Sequence, residues 1–487
     1  MAKVNLITTE NVTPAELRDL KGMLPSSAPT LTLKAVCSDE ETESPRLAVF
    51  TGAKESYEPG ETVEITVAGA IIPGTDTEYG TTKTYPFLKW SDGETNPTRS
   101  VTLGDAGDTE LVAVFDVVPV ATAADLKLAV ANTDGNYYLQ VADIDLSDEG
   151  TWVGDLEVDP NDATIRINVM EFSGVYDGGG HRVTNLLLQK AEYSGLFARV
   201  NGSTIVNLTV DCLGFDDAST ESSSWGGAAL AGYVNKTSDD MTFIANVTTN
   251  GTVGDAVHHS RHNTGGMVGR VDSKGSADTG LCMVDCVNNA SVYCTRPGTG
   301  AQHTGGLVGY IMKNVRMVRC ANHGMIVTSR VLSSSQNEGV GGLVGCDNST
   351  SNTSYLVDCT SDGVMALPGG SVNFGSLFGY MQGLDVRGTT VVDGMRKLTG
   401  NLGLGSKAFA VRTGVRDYML APSVMANTPV VYKAMSANAY VKLGASGDYI
   451  LVDTSLFEPT VTFSDSAVTG EDVPYMPGVK KYTAAAA

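Results

Sequence analysis

"GAQHTGGLVGY", from Gly300 to Tyr310, is the stretch on which the fold turns. It holds more glycine than an isolated strand tolerates, next to a Leu-Val pair that belongs in a core. Related stretches recur as "NTGGMVGRV" (263–271), "GVGGLVGC" (339–346) and "FGSLFGYM" (374–381). Aligned on the last glycine of Gly-Gly-Leu-Val-Gly, the runs fall at Ala198, Gly232, Gly269, Gly309, Gly345 and Gly379, in steps of 34, 37, 40, 36 and 34 residues. A second series runs out of phase with the first: Asn207 in "TIVNLTV", Asn246 in "TFIANVTTNGTV", Cys286 in "CMVDCVNNASV", Cys320 in "RMVRCANHGMI" and Cys359 in "YLVDCTSDGVM". Two interleaved periods of this length describe a solenoid, in which each repeat is one supersecondary unit.

A repeat of two or three short strands cannot bury its apolar face alone, so the core must be continuous between stacked coils. The expected core column is Leu196, Leu230, Met267, Leu307, Leu343 and Leu377. The Asn/Cys series (Asn207, Asn246, Cys286, Cys320, Cys359) is expected to stack as a second column, its cysteines being reduced core thiols. Strand alternation places Leu307 and Gly309 on one face and Val308 on the other.

Composition agrees with a β-rich globular chain. The 487 residues include 55 glycines, with 42% hydrophobic and 18% charged residues, too long for one core and apolar enough to fold. The net charge of −22 argues against a nucleic-acid partner, which would need clustered Lys and Arg. No apolar run is long enough to span a membrane. The first residues, "MAKVNLITTENVTPAELRDL", contain no apolar h-region, so no ordinary signal peptide is expected.

Four segments follow. Residues 1–45 read as an N-terminal helix and linker. Thr13 can cap, Pro14 suits the first helical position and Glu16 completes a capping box, so Leu17, Leu20 and Leu24 would share one face as an anchor. Residues 46–117 read as a small β domain with turns at "YEPGE" (57–61) and "SDGETNPT" (91–98). Residues 121–395 form the solenoid. Residues 396–487 show no period and read as a C-terminal cap or attachment segment, since the open end of a solenoid needs covering.

Two resemblances lie in these residues. The sequence "YEPGETVEITV … FLKWSDGETNPTRSVTL … TELVAVF" resembles the internalin B-repeat module of bacterial surface proteins. That likeness implies a β-grasp-like spacer domain with Trp90 and Phe115 in its core. "ATAADLKLAVANTDGNYYLQVADIDLSDEGTW", "FSGVYDGGGHRVTNLLL" and the Gly-Leu runs resemble β-helical proteins carrying the GLUG motif. Together they imply a mainly β protein: a right-handed β-helix preceded by a small β-grasp-like domain.

The chemistry-bearing motifs are few. His258, His259, Arg261 and His262 in "HHSRH", with His303 one coil later, form the obvious metal candidate. No acidic or Cys ligand accompanies them at fixed spacing, so a structural loop is expected. "DIDLSDEGTWVG" (143–154) starts like a calcium loop but has Asp148 and Gly154 where an EF-hand needs Gly and Glu, leaving room only for adventitious Ca²⁺. "DGGGH" (177–181) lacks the Lys-Ser/Thr of a phosphate loop and reads as a turn. No nucleophile motif appears, and no catalytic carboxylate pair can be assembled. No catalytic, cofactor or metal residues are therefore expected.

Both resemblances imply a non-enzymatic structural or binding protein displayed on a surface. The missing signal points to a bacteriophage virion surface protein, such as a head fibre, decoration protein or tail-fibre component. Its expected partners are other virion or surface proteins, met through the N- or C-terminal segment, and a host glycan or protein; oligomers fit such a role. The alternatives are a secreted adhesin on the bacterial surface and a β-helical polysaccharide depolymerase.

Overall fold

In the computed structural model the description runs over residues 28–361, except 80–81, 105–106, 153–157, 160–161, 167–170, 190, 217–225, 236, 255–261, 273–278, 295–301, 328–337, 349–353 and 358. For 158–166 and beyond Ser361 it covers only the backbone of strands. The chain divides into a smaller unit, residues 1–72 with 84–118, and a larger one, residues 73–83 with 119–487.

The smaller unit is built from six strands, β1 (Thr30–Val36), β2 (Ala48–Thr51), β3 (Thr62–Gly69), β4 (Phe87–Trp90), β5 (Thr98–Thr102) and β6 (Asp108–Phe115). One sheet has the order β1-β6-β4 and the other β2-β3-β5. β1 pairs parallel with β6, Thr30 opposite Asp108 through Val36 opposite Val114. This corrects the boundary at residue 46: "TLTLKAV" is a strand of the domain and not a linker. Trp90 and Phe115 are fully buried. The indole N–H of Trp90 donates to the Asn96 carbonyl at 2.8 Å, and the Arg99 guanidinium lies 5.3 Å above its ring, which satisfies the one polar atom of a core aromatic.

The larger unit is a β-solenoid. It opens on helix α1 (Ala123–Val130), capped at Thr122, whose side chain accepts from the Asp125 N–H while Asp125 accepts from the Thr122 N–H. Leu126, Ala129 and Val130 of α1 are buried against the first coil together with Phe172, covering an end that would otherwise expose the core. The coil from 302 to 327 shows the plan: strands Gln302–Gly305, Val308–Ile311, Val315–Val318, Ala321–Asn322 and Ile326–Val327. Each pairs parallel with its counterpart above and below, and the Val308–Ile311 column contains seven strands. After Val392 the pattern ends in antiparallel pairs, Arg396–Asn401 with Lys407–Arg412 and Ala439–Leu443 with Asp448–Val452.

The Gly-Gly-Leu-Val-Gly repeat is a corner and not a single strand. Leu307 lies between two strands, and both Leu307 and Val308 are buried in the same core, so the expected alternation fails there. The glycines bring two sheets together backbone to backbone. A Cβ on Gly305 would sit 2.0 Å from the Val308 carbonyl oxygen, and one on Gly309 would sit 2.7 Å from the Thr264 nitrogen.

Opposite this corner the chain turns through residues with left-handed φ: Asn207 (55°), Asn246 (53°), Asp285 (54°) and Arg319 (50°). From the strand before this turn to the strand after it the count is constant. Ala245 to Val253, Val284 to Val292, Val318 to Ile326 and Val357 to Met365 each span eight residues, all in register.

Candidate functional site

Leu196, Leu230, Met267, Leu307 and Leu343 are all fully buried in one continuous core; Leu377 lies outside the described residues. The second column needs a correction. Asn207 and Asn246 align with Asp285 and Arg319 at the left-handed turn, while Cys286, Cys320 and Cys359 align with Leu208 and Val247, one residue later. Asparagine tolerates the left-handed conformation, and it is placed at the turn, half-buried or exposed. The thiols stack inside, and all eight cysteines are buried and unpaired. Burial pushes the thiols of Cys286 and Cys359 well above the ordinary range and those of Cys212 and Cys282 up to about 12.

An interior column that sequence reading missed is made of amides. Thr249, Asn288, Asn322 and Ser361 lie in register and are fully buried. Asn288 donates to Asn322 Oδ1 at 2.8 Å and to the Ala290 carbonyl at 2.9 Å, while Thr249 donates to Asn288 at 2.7 Å. Buried polar groups of this kind are tolerated because each is satisfied. They fit because the second glycine of the repeat leaves a slot. A Cβ on Gly306 would lie 2.2 Å from Asn322 Cγ, and one on Gly266 would lie 2.3 Å from Asn288 Cγ.

The polar motifs of the sequence are occupied with structure. Asp143 accepts from His181 at 3.1 Å and from the Arg182 N–H at 3.0 Å. Asp145 accepts from Asn185 at 2.7 Å and from the Ser147 N–H at 2.9 Å. Asp177 of "DGGGH" takes the Gly179 N–H and the Asn207 amide. His303 pairs with Asn263 at 2.7 Å and stacks on Tyr310 at 4.6 Å. His258, His259 and Arg261 lie outside the described residues, as do Leu17, Leu20 and Leu24. Among the described residues no group of His, Cys, Asp and Glu is placed to hold a metal.

A trough on the solenoid surface is the strongest candidate site. Its floor takes one residue from each of six successive strands: Tyr137, Val175, Thr204, Phe243, Cys282 and Arg316, all in register. Two adjoining cavities of about 440 and 420 Å³ occupy it and share Lys83, Gly202, Thr204 and Asp240. One wall is residues 73–83, which run along the coils: the Pro73 carbonyl accepts from Asn207 at 2.9 Å, and the Tyr79 carbonyl lies 3.6 Å from Cys282 Sγ. Glu78, Tyr79 and Lys83 of this segment face the first cavity. The other wall carries Asp239 and Asp240 in the first cavity, and Asp134, Asn201 and Ser238 in the second. Carboxylates, amides and hydroxyls over a partly aromatic floor can accept and donate hydrogen bonds along an extended polar ligand.

No family model matches the chain, and no curated protein matches it. Two solved structures are similar. One, from Bacteroides ovatus and provisionally described as an immunoglobulin A1 protease, has a TM-score of 0.43 at 16% identity over 57% of this chain and 76% of its own. The other, an IgA1 protease, has a TM-score of 0.35 at 14% identity over 72% of this chain. The chain spans 26% of that second protein's length.

Proposed function

We propose that this chain is a non-enzymatic binding protein displayed on a surface, and more narrowly a bacteriophage virion protein of the head-fibre, decoration or tail-fibre kind that contacts a host glycan or protein. The observation that carries the binding reading is the trough, a polar groove floored by strands of a parallel sheet and therefore held in shape by the core beneath it. The internalin-like and GLUG-like sequences support display outside a cell.

Two measurements test this reading. Mass spectrometry of purified particles from a producing strain should find the chain at stoichiometric copy number. Recovery only from the bacterial envelope, with none in particles, would replace the virion with a surface adhesin. Incubating the protein with host capsular polysaccharide should release no new reducing ends. Their appearance, lost on replacing Asp240 with Asn, would make it a depolymerase.

A further inference from the structure

We infer that the trough takes a linear, uncharged oligosaccharide lying parallel to the solenoid axis, one sugar to each coil. This rests on the binding reading above and names its ligand. The first support is repeat distance. The floor residues belong to neighbouring hydrogen-bonded strands about 4.8 Å apart, so Tyr137 to Arg316 spans roughly 24 Å. A sugar in an extended chain advances by about the same step, so roughly five units would each meet the same kind of floor position.

The second support is the floor and walls. Tyr137 and Phe243 offer apolar ring surface to the faces of sugars, while Thr204 between them offers a hydroxyl. Asn201, Ser238 and Asp240 line the rim where equatorial hydroxyls would project. An extended peptide is a poorer match, because its backbone N–H and C=O groups would meet the face of a sheet whose own backbone is already paired.

The third support is charge. Glu78, Asp134, Asp239 and Asp240 outnumber Lys83 and Arg316 along the trough, and the whole chain carries −22. A polyanionic chain such as a polyuronate would be repelled along its length. Carboxylates accept readily from neutral hydroxyls.

Calorimetric titration of the full chain with cello-, xylo- and chito-oligosaccharides of two to eight units tests this, with oligogalacturonate as the charged chain. Affinity for at least one neutral series should rise with length and level off at five or six units, and oligogalacturonate should not bind. Asp240→Ala, an exposed wall position, should weaken binding at least tenfold with an unchanged thermal melt, and Thr204→Trp should abolish it. Lack of binding to all three neutral series, binding without length dependence, or tighter binding of oligogalacturonate or of an extended peptide would overturn the inference. Such a result, with the chain still present in purified particles, would leave the display function standing.

Discussion

Gly306 has no room for a methyl group, because its missing Cβ would lie 2.1 Å from the Gly342 carbonyl oxygen as well as against Asn322. Replacing it with Ala is therefore expected to destabilise the solenoid by about 2–3 kcal/mol, read as a shift in the urea midpoint. One coil earlier than Gly266, Ala229 holds the equivalent place, and there the amide column carries the shorter Thr249. Asn322→Thr should accordingly return part of the stability lost by Gly306→Ala, and strictly additive losses would show that slot and amide are independent. The buried thiols give a pH dependence. An unfolded cysteine ionises near pH 8.5, whereas Cys212 and Cys282 keep their protons in the fold up to about 12. Their contribution is complete below the unfolded value and is lost as pH rises above it, at up to about 1.4 kcal/mol per pH unit for each thiol. The urea midpoint should fall between about pH 8 and pH 10, and Cys212→Ala should flatten part of that fall.

At the scale of the element, a coil is stable only through its neighbours. Leu307→Asp places an unpaired charge in a core that runs unbroken from Val120 to Cys359. It should cost several kcal/mol, and unchanged denaturant stability would refute the continuous core. The coils were legible in the sequence because the core demands the same apolar residue at each turn, so Leu196 through Leu343 repeat visibly. The turn was harder to read. Asn207 and Cys286 both recur at the period, but one answers to backbone conformation and the other to burial, and period alone cannot separate positions one residue apart. Helix α1 was also missed, because "ATAADLKLAV" occurs once and its Thr122–Asp125 capping box was read as the approach to a strand.

For the whole molecule, the trough was not legible because its walls come from distant places in the chain. Residues 73–83 interrupt the smaller unit in sequence yet pack on the larger one, bringing Glu78 and Lys83 to Asp240. No local pattern announces such a meeting. The floor left a fainter trace, since Thr204, Phe243 and Cys282 stand at steps of 39 residues. The proposed attachment belongs at this scale too. If the N-terminal helix is the anchor, deleting residues 1–27 should leave a folded protein that no longer co-purifies with particles. Incorporation at the original copy number would hand the role to the C-terminal segment. The cut must stop before Thr30, whose strand pairs with Asp108–Phe115.

The constant eight-residue arc at the left-handed turn has a consequence for inheritance. Repeat steps vary from 34 to 40 residues, yet in the four coils from Ala245 to Met365 none of that variation falls inside the arc. A codon gained or lost there would slip every following side chain out of the core, as a shift of one residue reverses a strand's faces. Between the arc of one coil and the next Gly-Leu corner, the same change leaves the register intact. A lineage carrying this gene can therefore rewrite one flank of the solenoid by insertion and deletion, while the other flank changes only by substitution.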